Sequence, residues 1–473
     1  MRVRSLGHLL HEAGLAAMSS VPDREVTGVA HDSRSVAPGS VFCAIRGARF
    51  DGHDFAGTAV DDGAVALLVD HVVNGVDASV PQIVVDDVRL AMGRLATAFW
   101  GDPSHSLELV GITGTNGKTT TAHLVASICR ARGRSTEIIG TLSGGFTTPE
   151  APALQATLAG MRDRGVQSVA MEVSSHSLVM QRVAGTRFAA AVFTNLSRDH
   201  LDLHGDMESY FAAKARLFDP SFTPLAVVNA DDAYGRRLVE GARVETIPFR
   251  RSDAEDLIVS TVDHSYRWNG RRIRVPLGGA VNVMNSLAAA TVMHALGVEV
   301  DLIAEGLETV EPVPGRMERI DVGQDFTLFV DYAHTPDGLA AVLRSLRDSG
   351  VEGRIIVVFG CGGDRDKAKR PMMGEVAVNL ADEVVITSDN PRSEDPAAII
   401  ASIVAGVPDH LRHRLVDVIE DRRRAIEIAV SRARTGDVVL VAGKGHETTQ
   451  TIGDLVTPFD DREVAREILG VRA

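Results

Sequence analysis

The sequence predicts an α/β protein of about three domains built from largely parallel sheets. Its 473 residues exceed the usual size of one domain. From Leu107 onward, apolar strand-like runs alternate with helical stretches, which is typical of parallel sheets with crossover helices. Two loop-like segments, GDPSHS at residues 101–106 and EPVPGR at 311–316, interrupt this pattern and indicate domain boundaries.

Each of the three parts contains its own candidate strands and helices. The first part has the strand-like runs VFCAI, AVALLVD and QIVVDD, which precede the helical stretch AMGRLATAFW. The second part alternates through LELVGIT, TTAHLVASICRA, VQSVAMEV, FAAAVFTN, a helix ending near Phe218, and PLAVVNA. The third part alternates through TLFVDYA, LAAVLRSLR, RIIVVFG, EVVITSD and DVVLVAG.

The composition excludes several classes of protein. Apolar residues make up 45% of the chain and charged residues 24%, so a disordered or collagen-like chain is excluded. The formal net charge of −14 argues against coating of nucleic acid, because counterion release needs a basic face. Three widely spaced cysteines match neither a disulfide framework nor a zinc site, and no apolar run is long enough for a membrane span. We expect a cytoplasmic protein without nucleic-acid binding or membrane insertion.

The segment LVGITGTNGKTTT passes from an apolar strand through a glycine-rich turn into a helix, as a phosphate-binding loop requires. Gly114 and Gly117 let backbone N–H groups turn toward phosphate oxygens, and the helix N-terminus adds positive potential. Lys118 supplies a charge for the outer phosphates, and the Thr119 hydroxyl suits Mg²⁺. The alternative is an ordinary strand-to-helix turn. The context favours ATP binding by Gly114, Thr115, Asn116, Gly117, Lys118, Thr119 and Thr120.

Two residues that follow apolar strands are candidate magnesium ligands. Glu172 lies near the carboxyl end of VQSVAMEV, and open parallel sheets bind ligands at that end. His200 follows FAAAVFTN within TNLSRDHLDLHGD, where it serves as a ligand or as a hydrogen-bonding partner. The alternative for His200 is ordinary surface polarity, which is the commoner state of a histidine in a loop.

Lys214 occupies a position where an apolar residue is expected. In the segment DMESYFAAKARLFDP, helical spacing places it on one face with Met207, Tyr210 and Phe211. Only five of the 49 basic residues are lysine, at positions 118, 214, 367, 369 and 444, which indicates sites unsuited to a guanidinium. A buried amine with a lowered pKa is able to add CO₂ and become a carbamate that ligates Mg²⁺. The alternative is a side chain whose ammonium group reaches water.

Taken together, GTNGKTT, MEVSSH, TNLSRDHLDLHG and SYFAAK resemble the Mur ligases, ATP-dependent enzymes that build the peptide stem of bacterial cell-wall precursors. The resemblance continues through NVMNSLAA, PGRME, DYAHTPD, GCGGDRDKAKRP, DNPR and GKGHE. It implies a smaller N-terminal α/β domain at 1–103 that binds a UDP-muramoyl substrate. It also implies a central P-loop ATPase-like domain at 104–311 and a Rossmann-like, amino-acid-binding domain at 312–473. Lys214 then coincides with the family's carbamylated lysine.

The resemblance also implies roles for individual residues. The positions that would hold the UDP-muramoyl dipeptide are Ser33, Thr147, Thr148, Ser174, Met180 and Arg182. The family often has Gln where Met180 stands, and here Gln181 follows it instead. Asn285 would reach the adenine, while Arg316 and Asp331 would close on the phosphates and ribose from the third domain. Without the resemblance, HDSR at 31–34 is a turn between strands and Arg316 is a surface linker residue.

Three polar motifs of the third domain, GGDRDK, DNPR and GKGHE, each follow an apolar strand and should converge on one crevice. Arg392 offers a bidentate fork for a distal carboxylate. GCGGDR lacks the dinucleotide fingerprint, so a nicotinamide site is rejected. DNPR is similar to the motif of family members that add meso-diaminopimelate, and an Asx-Pro turn is the alternative. The expected contacts are Arg365, Asp389, Asn390, Pro391, Arg392, Gly443 and Glu447.

The resemblance implies an amide ligase that adds meso-2,6-diaminopimelate to UDP-N-acetylmuramoyl-L-alanyl-D-glutamate through an acyl phosphate, a step of peptidoglycan synthesis. ATP is the co-substrate, and Lys118 and Arg316 stabilise developing charge. The Mg²⁺ ligands would be Thr119, Glu172, His200 and the CO₂-derived carbamate on Lys214. We expect a monomer. Three alternatives stay open: a lysine-adding ligase, a folylpolyglutamate synthetase-like ligase, and a nucleotide-regulated binding module that makes no product.

Overall fold

The computed structural model describes residues 2–15, 22–47 and 50–472. The first of three successive α/β units contains a four-stranded parallel sheet of order β3-β4-β5-β6 and a separate antiparallel pair, β1 and β2. Its strands are β1 Arg4–Ser5, β2 Glu25–Val26, β3 Gly28–Ala30, β4 Ser40–Cys43, β5 Ala66–Val69 and β6 Gln82–Val84. Its helices are α1 Leu6–Glu12, α2 Ala56–Asp61 and α3 Val88–Trp100. Asp87 caps α3 by accepting the backbone N–H of Leu90.

The second unit is built on a six-stranded, fully parallel sheet of order β12-β11-β10-β7-β9-β8. Its strands are β7 Glu108–Thr113, β8 Thr136–Ile139, β9 Ser168–Glu172, β10 Ala190–Phe193, β11 Leu225–Asn229 and β12 Glu245–Phe249, followed by an antiparallel meander, β13 Glu255–Val259, β14 His264–Trp268 and β15 Arg271–Val275. Its helices are α4 Lys118–Ala131, α5 Ala151–Asp163, α6 Ser175–Val179, α7 Leu201–His204, α8 Met207–Ala215, α9 Ala233–Glu240, α10 Ala280–Ala295 and α11 Val300–Glu308.

The third unit has a six-stranded sheet of order β16-β17-β21-β18-β19-β20, in which β16 is antiparallel to its neighbour and the other pairs are parallel. Its strands are β16 Glu318–Ile320, β17 Thr327–Asp331, β18 Ile355–Phe359, β19 Glu383–Thr387, β20 Leu415–Ile419 and β21 Val438–Ala442, followed by the hairpin β22 Thr449–Ile452 and β23 Leu455–Pro458. Its helices are α12 Pro336–Asp348, α13 Lys369–Leu380, α14 Pro396–Val404, α15 Arg422–Arg432 and α16 Asp461–Arg472.

The predicted fold class is confirmed, and each strand-like run named above corresponds to a strand. The strands that were not predicted are β1–β3, β8, β12, the meander β13–β15, β16, β20 and the hairpin β22–β23. The segment GDPSHS also differs from the loop expected there, because it contains a short 3₁₀ helix at Pro103–Ser106. The Ser104 hydroxyl is buried and accepts the backbone N–H of Arg187 at 3.1 Å, which fixes this segment against the central unit. Within the described residues, no helix combines the length and apolarity needed to cross a bilayer.

A fully buried ion pair fixes one end of the third sheet. Arg422 begins α15 and Asp461 begins α16, and both side chains are 0% exposed. Nε and Nη2 of Arg422 each donate to the Asp461 carboxylate at 2.7 Å. The same guanidinium donates to the carbonyl of Ser388 at 3.1 Å and to that of Ala442 at 2.9 Å. The pair therefore ties together the carboxyl ends of β19 and β21, after which DNPR and GKGHE begin.

We expect Asp461→Asn to lower the free energy of unfolding by about 3–5 kcal/mol, because it leaves the Arg422 charge buried without a carboxylate. Urea unfolding followed by circular dichroism measures the change. Arg423→Met is the matched control, since this neighbouring arginine is half exposed, and its effect should stay within about 0.5 kcal/mol. A loss below about 1 kcal/mol for Asp461→Asn would contradict the stabilising role of the pair.

Candidate active site

A cavity of about 610 Å³ lies between the second and third units. The second unit contributes the glycine-rich loop after β7, the end of β9 and one face of α10, and the third contributes the segments around Arg316 and Asp331. The predicted residues that line it are Thr115, Asn116, Gly117, Lys118, Thr119, Thr120, Thr147, Glu172, Ser174, His200, Asn285, Arg316 and Asp331. The cavity therefore brings together most of the residues predicted to bind ATP.

The loop between β7 and α4 has the backbone conformation that its glycines predict. Gly114 and Gly117 have φ values of +148° and +86°, which L residues rarely adopt. Lys118 folds back over the loop and donates to the carbonyls of Gly114 at 2.9 Å and Thr115 at 2.8 Å. Burial lowers the pKa of the Lys118 ammonium, and the nearby Arg316 charge lowers it further, while Glu172 acts in the opposite direction. An anion bound here would therefore meet two clustered cations.

Glu172 presents hard oxygen atoms next to this loop. It is buried at the end of β9, where it lies opposite Ile112 of β7 in the parallel register. Its Oε2 accepts the hydroxyl of Thr119 at 3.0 Å, and its Oε1 accepts the backbone N–H of Thr141 at 2.8 Å. A carboxylate and a hydroxyl side by side are suited to Mg²⁺, which prefers oxygen ligands. The donor set therefore fits a magnesium site.

Arg316 reaches from the third unit to the phosphate loop. Its Nη2 donates to the Thr119 hydroxyl at 3.0 Å, and its guanidinium lies 4.5 Å from the ring centroid of Tyr332. Its Nε is buried and has no hydrogen-bond partner within the described chain, which leaves a donor for an anionic ligand. The alternative of a surface linker arginine is therefore wrong.

Asp331 holds the backbone beside Arg316. Its two carboxylate oxygens accept the backbone N–H groups of Met317 at 2.7 Å and Ala333 at 2.8 Å. Met317 has a positive φ of +46°, so this turn needs external support. Burial raises the pKa of Asp331, although the Arg316 charge lowers it. Asp331 lines the cavity as expected, but one of its oxygens is already engaged with the turn that contains Arg316 and the other with the loop that follows β17.

Asn285 of α10 lies against the opposite side of the loop. Its Oδ1 accepts the hydroxyl of Thr121 at 3.5 Å, and its Nδ2 donates to Asn282 at 3.0 Å. A Cβ atom at Gly117 would lie 2.3 Å from Asn285 Oδ1. The absence of a side chain at this loop position therefore allows α10 to approach the glycine-rich turn.

Lys214 is buried beneath the loop, and only 1% of its surface is exposed. Its Nζ donates to the Gly114 carbonyl at 2.8 Å and lies 4.7 Å from the ring centroid of Tyr210. Burial holds the pKa of this amine well below its usual value, and the Lys118 charge lowers it further, while Asp199 acts in the opposite direction. The alternative of an ammonium group that reaches water is therefore wrong.

His200 borders the cavity near residues that the sequence analysis did not select. Its side chain is about half exposed, and its Nε2 lies 3.3 Å from the Asp199 carboxylate. His334, in the motif DYAHTPD, accepts the Lys369 ammonium through its carbonyl at 2.8 Å. Burial lowers the pKa of the His334 ring to about 4, and the Lys369 charge adds to this effect. His334 could have been selected because it lies in the motif DYAHTPD, and Lys369 because lysine is scarce in this chain. Asp199 had no distinguishing feature beyond its place in the motif TNLSRDHLDLHGD.

The residues expected to hold the UDP-muramoyl dipeptide fall into two groups. Thr148 links the first group to Glu172, because its hydroxyl donates to the Glu172 carbonyl at 2.9 Å and accepts the Ser174 N–H at 3.3 Å. Arg182 donates to the Thr148 carbonyl at 3.1 Å and to the Glu150 carboxylate at 2.8 Å. Thr147 and Ser174 line the cavity, but Thr148 and Arg182 lie outside its lining.

The second group is less directly connected to the cavity. Ser33 begins a short 3₁₀ helix in the first unit and lies close in sequence to His31. Burial lowers the pKa of His31; the Glu150 charge raises this pKa, and the Arg182 charge lowers it. The HDSR segment therefore lies near the Arg182–Glu150 ion pair. Met180 is partly buried at the end of α6. The Gln181 side chain that follows it accepts the Arg216 guanidinium at 2.9 Å.

The residues expected to bind diaminopimelate form a cluster at the carboxyl ends of β18, β19 and β21. Asn390 Nδ2 donates to the Glu447 carboxylate at 2.7 Å. Gly443 has a φ of +113°, and a Cβ atom there would lie 2.9 Å from the Asp389 carboxylate. Arg392 donates to the Gly363 carbonyl at 2.7 Å, and Pro391 precedes it in a buried position.

Arg365 and Tyr332 define the edges of this cluster. Arg365 is exposed and donates to the adjacent Asp364 carbonyl at 3.3 Å. Burial raises the pKa of Tyr332 to about 12, with a further contribution from the Glu447 charge. Its ring also lies 5.0 Å from that of His446 and carries the Arg316 guanidinium on its face. The cluster that contains Asn390 and Glu447 therefore adjoins the phosphate cavity, with Tyr332 between them.

Comparisons with known proteins agree with this geometry. Residues 112–293 match the Mur ligase middle domain, 315–445 match the Mur ligase glutamate ligase domain, and 25–100 match the Mur ligase family catalytic domain. A UDP-N-acetylmuramoyl-L-alanyl-D-glutamate–2,6-diaminopimelate ligase of Streptomyces avermitilis is 49% identical, over 96% of this chain and 94% of the relative. The chain belongs to the Mur ligase family.

Two solved structures extend the comparison. One UDP-N-acetylmuramoyl-L-alanyl-D-glutamate–2,6-diaminopimelate ligase is 34% identical to this Mur ligase, with a TM-score of 0.67 over 95% of this chain and 96% of that chain. A folylpolyglutamate synthase of Mycobacterium tuberculosis is 22% identical, with a TM-score of 0.59 over 75% of this chain and 92% of that chain. The second likeness extends to the fold alone.

We expect Gly117→Ala to weaken ATP binding by about 100-fold or more, because the added methyl group would collide with Asn285 and force the loop out of its left-handed conformation. Titration with a fluorescent ATP analogue measures the affinity. Gly133→Ala is the matched control, since Gly133 also has a positive φ but has no neighbouring atom within 4 Å of the added Cβ. Equal ATP affinity in the two variants would contradict the role of the Gly117 turn.

Proposed function

We propose that this Mur ligase joins the glutamate carboxylate of UDP-N-acetylmuramoyl-L-alanyl-D-glutamate to an amino group of meso-2,6-diaminopimelate, with cleavage of ATP to ADP and phosphate. One observation supports this most directly. Arg316 bonds to Thr119 of the phosphate loop and stacks on Tyr332, whose ring also lies against His446, next to Glu447 in the GKGHE motif. A site for activating a carboxylate thus adjoins a site suited to an amino acid.

We also propose a division of labour among three domains. Residues 1–103 and the Thr148–Arg182 region would hold the UDP-muramoyl part, residues 104–311 would bind ATP, and residues 312–473 would bind the amino acid. Closure of the third domain would bring Arg316 onto the phosphates. The enzyme would act in the cytoplasm as a monomer.

In the first step, the substrate's glutamate carboxylate attacks the γ-phosphorus of ATP and forms an acyl phosphate and ADP. Negative charge develops on the transferring phosphoryl oxygens, so fixed cations lower the barrier. Lys118 and Arg316 would supply these charges, with Arg316 using its unpaired Nε. The backbone of residues 114–117 would hold the outer phosphates. No side-chain nucleophile is needed.

Mg²⁺ would be held by Thr119, Glu172, His200 and a carbamate on Lys214, and it would supply Lewis-acid charge to the phosphate oxygens. The state of Lys214 supports the carbamate. Burial holds the pKa of its amine well below the usual value, which increases the share of the neutral, nucleophilic form. Addition of CO₂ to the neutral amine would form an N–C bond with release of a proton, and would place an anion near the Lys118 ammonium.

In the second step, the free amine of diaminopimelate attacks the acyl phosphate carbonyl and expels phosphate. Arg392 would pair with the carboxylate at the far end of the amino acid, which lysine lacks. Asp389 and Glu447 would face the ammonium group beside that carboxylate. The combination of one guanidinium with two carboxylates suits a zwitterionic end group and favours diaminopimelate over lysine.

Two other functions compete with this proposal. A folylpolyglutamate synthetase-like ligase would use the same acyl-phosphate chemistry, but a pterin substrate would need neither HDSR nor DNPR. A nucleotide-regulated binding module would hydrolyse ATP slowly without a product, and it would leave the buried Lys214 without a purpose. ADP release that depends on both the UDP-muramoyl dipeptide and an amino acid separates these functions.

We expect coupled ADP release to be fast with meso-diaminopimelate and at least about 100-fold slower with lysine, because a missing ionic partner leaves Arg392 unpaired. Arg392→Lys should raise the KM for diaminopimelate by about 10-fold or more, since an ammonium cannot form the bidentate pair. Arg412→Lys, at an exposed position of the same domain, is the control. Equal turnover with both amino acids in the wild-type enzyme would refute the role of Arg392.

We expect Lys214→Ala to reduce kcat by about 100-fold or more, because the variant lacks the proposed anionic ligand. Added bicarbonate should not restore activity, whereas millimolar acetate or formate should restore part of it by occupying the freed space. Glu208→Ala on the exposed face of the same helix is the control. Full activity of Lys214→Ala without any additive would remove the carbamate from the mechanism.

A further inference from the structure

Lys444 of the GKGHE motif has no role in the mechanism described so far. Its side chain is 0% exposed, which is unusual for a lysine. Its Nζ donates to the Thr449 carbonyl at 2.6 Å and lies 3.5 Å from Glu447 Oε2. The backbone carbonyl of Thr449 therefore holds the buried ammonium group in place, and the nearby carboxylate is that of Glu447.

Glu447 is the carboxylate that receives this charge. Burial raises its pKa, the adjacent Asp389 carboxylate raises it further, and Lys444 lowers it. Its Oε2 also accepts the Asn390 amide at 2.7 Å. Two carboxylates at close range cannot both stay ionised without nearby positive charge. Lys444 is the closest cation to Glu447 in the described structure, and it approaches from the buried side.

The hairpin after GKGHE fixes the other members of this cluster. Gln450 Nε2 donates to the Asp389 carbonyl at 2.8 Å, and the Thr451 N–H donates to Asn390 Oδ1 at 2.9 Å. The backbone of Arg392 pairs with β22, because its N–H donates to the Thr451 carbonyl at 2.9 Å. Lys444, through the Thr449 carbonyl, therefore anchors the first residue of the strand that orients DNPR.

We propose that Lys444 is a positioning residue that keeps Glu447 as a fixed carboxylate for an ammonium group of the incoming amino acid. The inference rests on the proposed function, and it names the part of the substrate that Glu447 recognises. A primary ammonium satisfies the Thr449 carbonyl and Glu447 within an enclosed space, whereas a guanidinium would bring additional donors that need partners. This accounts for a lysine here in a chain with very few lysines.

The charge on Glu447 depends on a defined set of neighbours. The titratable and charged groups that act on it are Asp389, Arg392, Lys444, Tyr332 and Arg422. Arg422 is already paired with Asp461, and Arg392 is assigned to the substrate's carboxylate. Removal of the Lys444 charge should therefore raise the pH at which Glu447 becomes ionised, and binding of an ammonium group should then require a higher pH.

The first experiment is a ¹³C NMR titration of the full-length protein labelled at the glutamate Cδ atoms, with the Glu447 resonance identified by its loss in Glu447→Gln. In Lys444→Met the titration midpoint of Glu447 should rise by about one pH unit or more. Arg412→Met, which removes an exposed arginine of the same domain, should leave the midpoint unchanged. An unchanged midpoint in Lys444→Met would overturn the proposal.

The second experiment is a double-mutant cycle in the coupled ADP assay. Lys444→Met should raise the KM for diaminopimelate by about 10-fold or more at neutral pH. This increase in KM should become smaller as the pH rises, and kcat should change little. In the Glu447→Gln background the same substitution should change KM by less than about 2-fold, because its target is already neutral. Equal losses in both backgrounds would indicate a purely structural role and overturn the proposal.

The two readouts separate this inference from the proposed function. The NMR titration needs no turnover, so a wild-type chain inactive with diaminopimelate would refute the proposed function while the Lys444–Glu447 coupling is still decided. A shifted midpoint with an unchanged KM for diaminopimelate would refute the role in substrate recognition. The double variant Lys444→Met/Glu447→Gln removes both charges together, and it provides a folded reference if Lys444→Met alone is unstable.

Discussion

The hydrogen bond from Arg316 to the Thr119 hydroxyl connects the two halves of the site. Thr119 also donates to Glu172, so one hydroxyl joins the phosphate loop, a strand end of the central sheet and a guanidinium of the third unit. Asp331 fixes the backbone of the Arg316 turn, and Tyr332 supports its guanidinium. Any displacement of the third unit would change this contact, which makes the geometry of the cavity dependent on domain packing.

The second constraint is the concentration of positive charge around one loop. Lys118 and Lys214 both donate to the Gly114 carbonyl. This contact offsets part of the free-energy cost of burying each ammonium group. Their mutual repulsion and their burial favour neutral amines or the arrival of anions. The chain has an overall net charge of −14, so this local grouping of basic side chains is created by placement and not by composition. Lys118 and Arg316, which line the cavity, would attract a polyanion such as ATP.

Local patterns were sufficient for the buried strands and for residues directly after them. Glu172 could be identified because it ends an apolar run, and Lys214 because it interrupts an apolar helix face. The outer strand β12 is exposed or only partly buried over its first four residues, and it has no continuous apolar run. The engagement of Asp331 with two backbone N–H groups depends on the loop geometry within the third unit, whereas the proximity of His334 to Asp199 depends on how loops from separate units pack. His334 and Asp199 lie more than 100 positions apart in the sequence, and sequence periodicity contains no information about such a contact.

The hairpin formed by β22 and β23 touches DNPR through its backbone, while Leu455 and Val456 on its outer strand remain exposed. The strand that aims Arg392 is thus joined to a short, solvent-facing ribbon that contributes little to the core. Insertions or exchanges in that ribbon are tolerated more easily than changes in the crevice itself. The hairpin therefore gives natural divergence, or a protein engineer, a route to altered amino-acid preference that leaves every side chain touching the nucleotide unchanged.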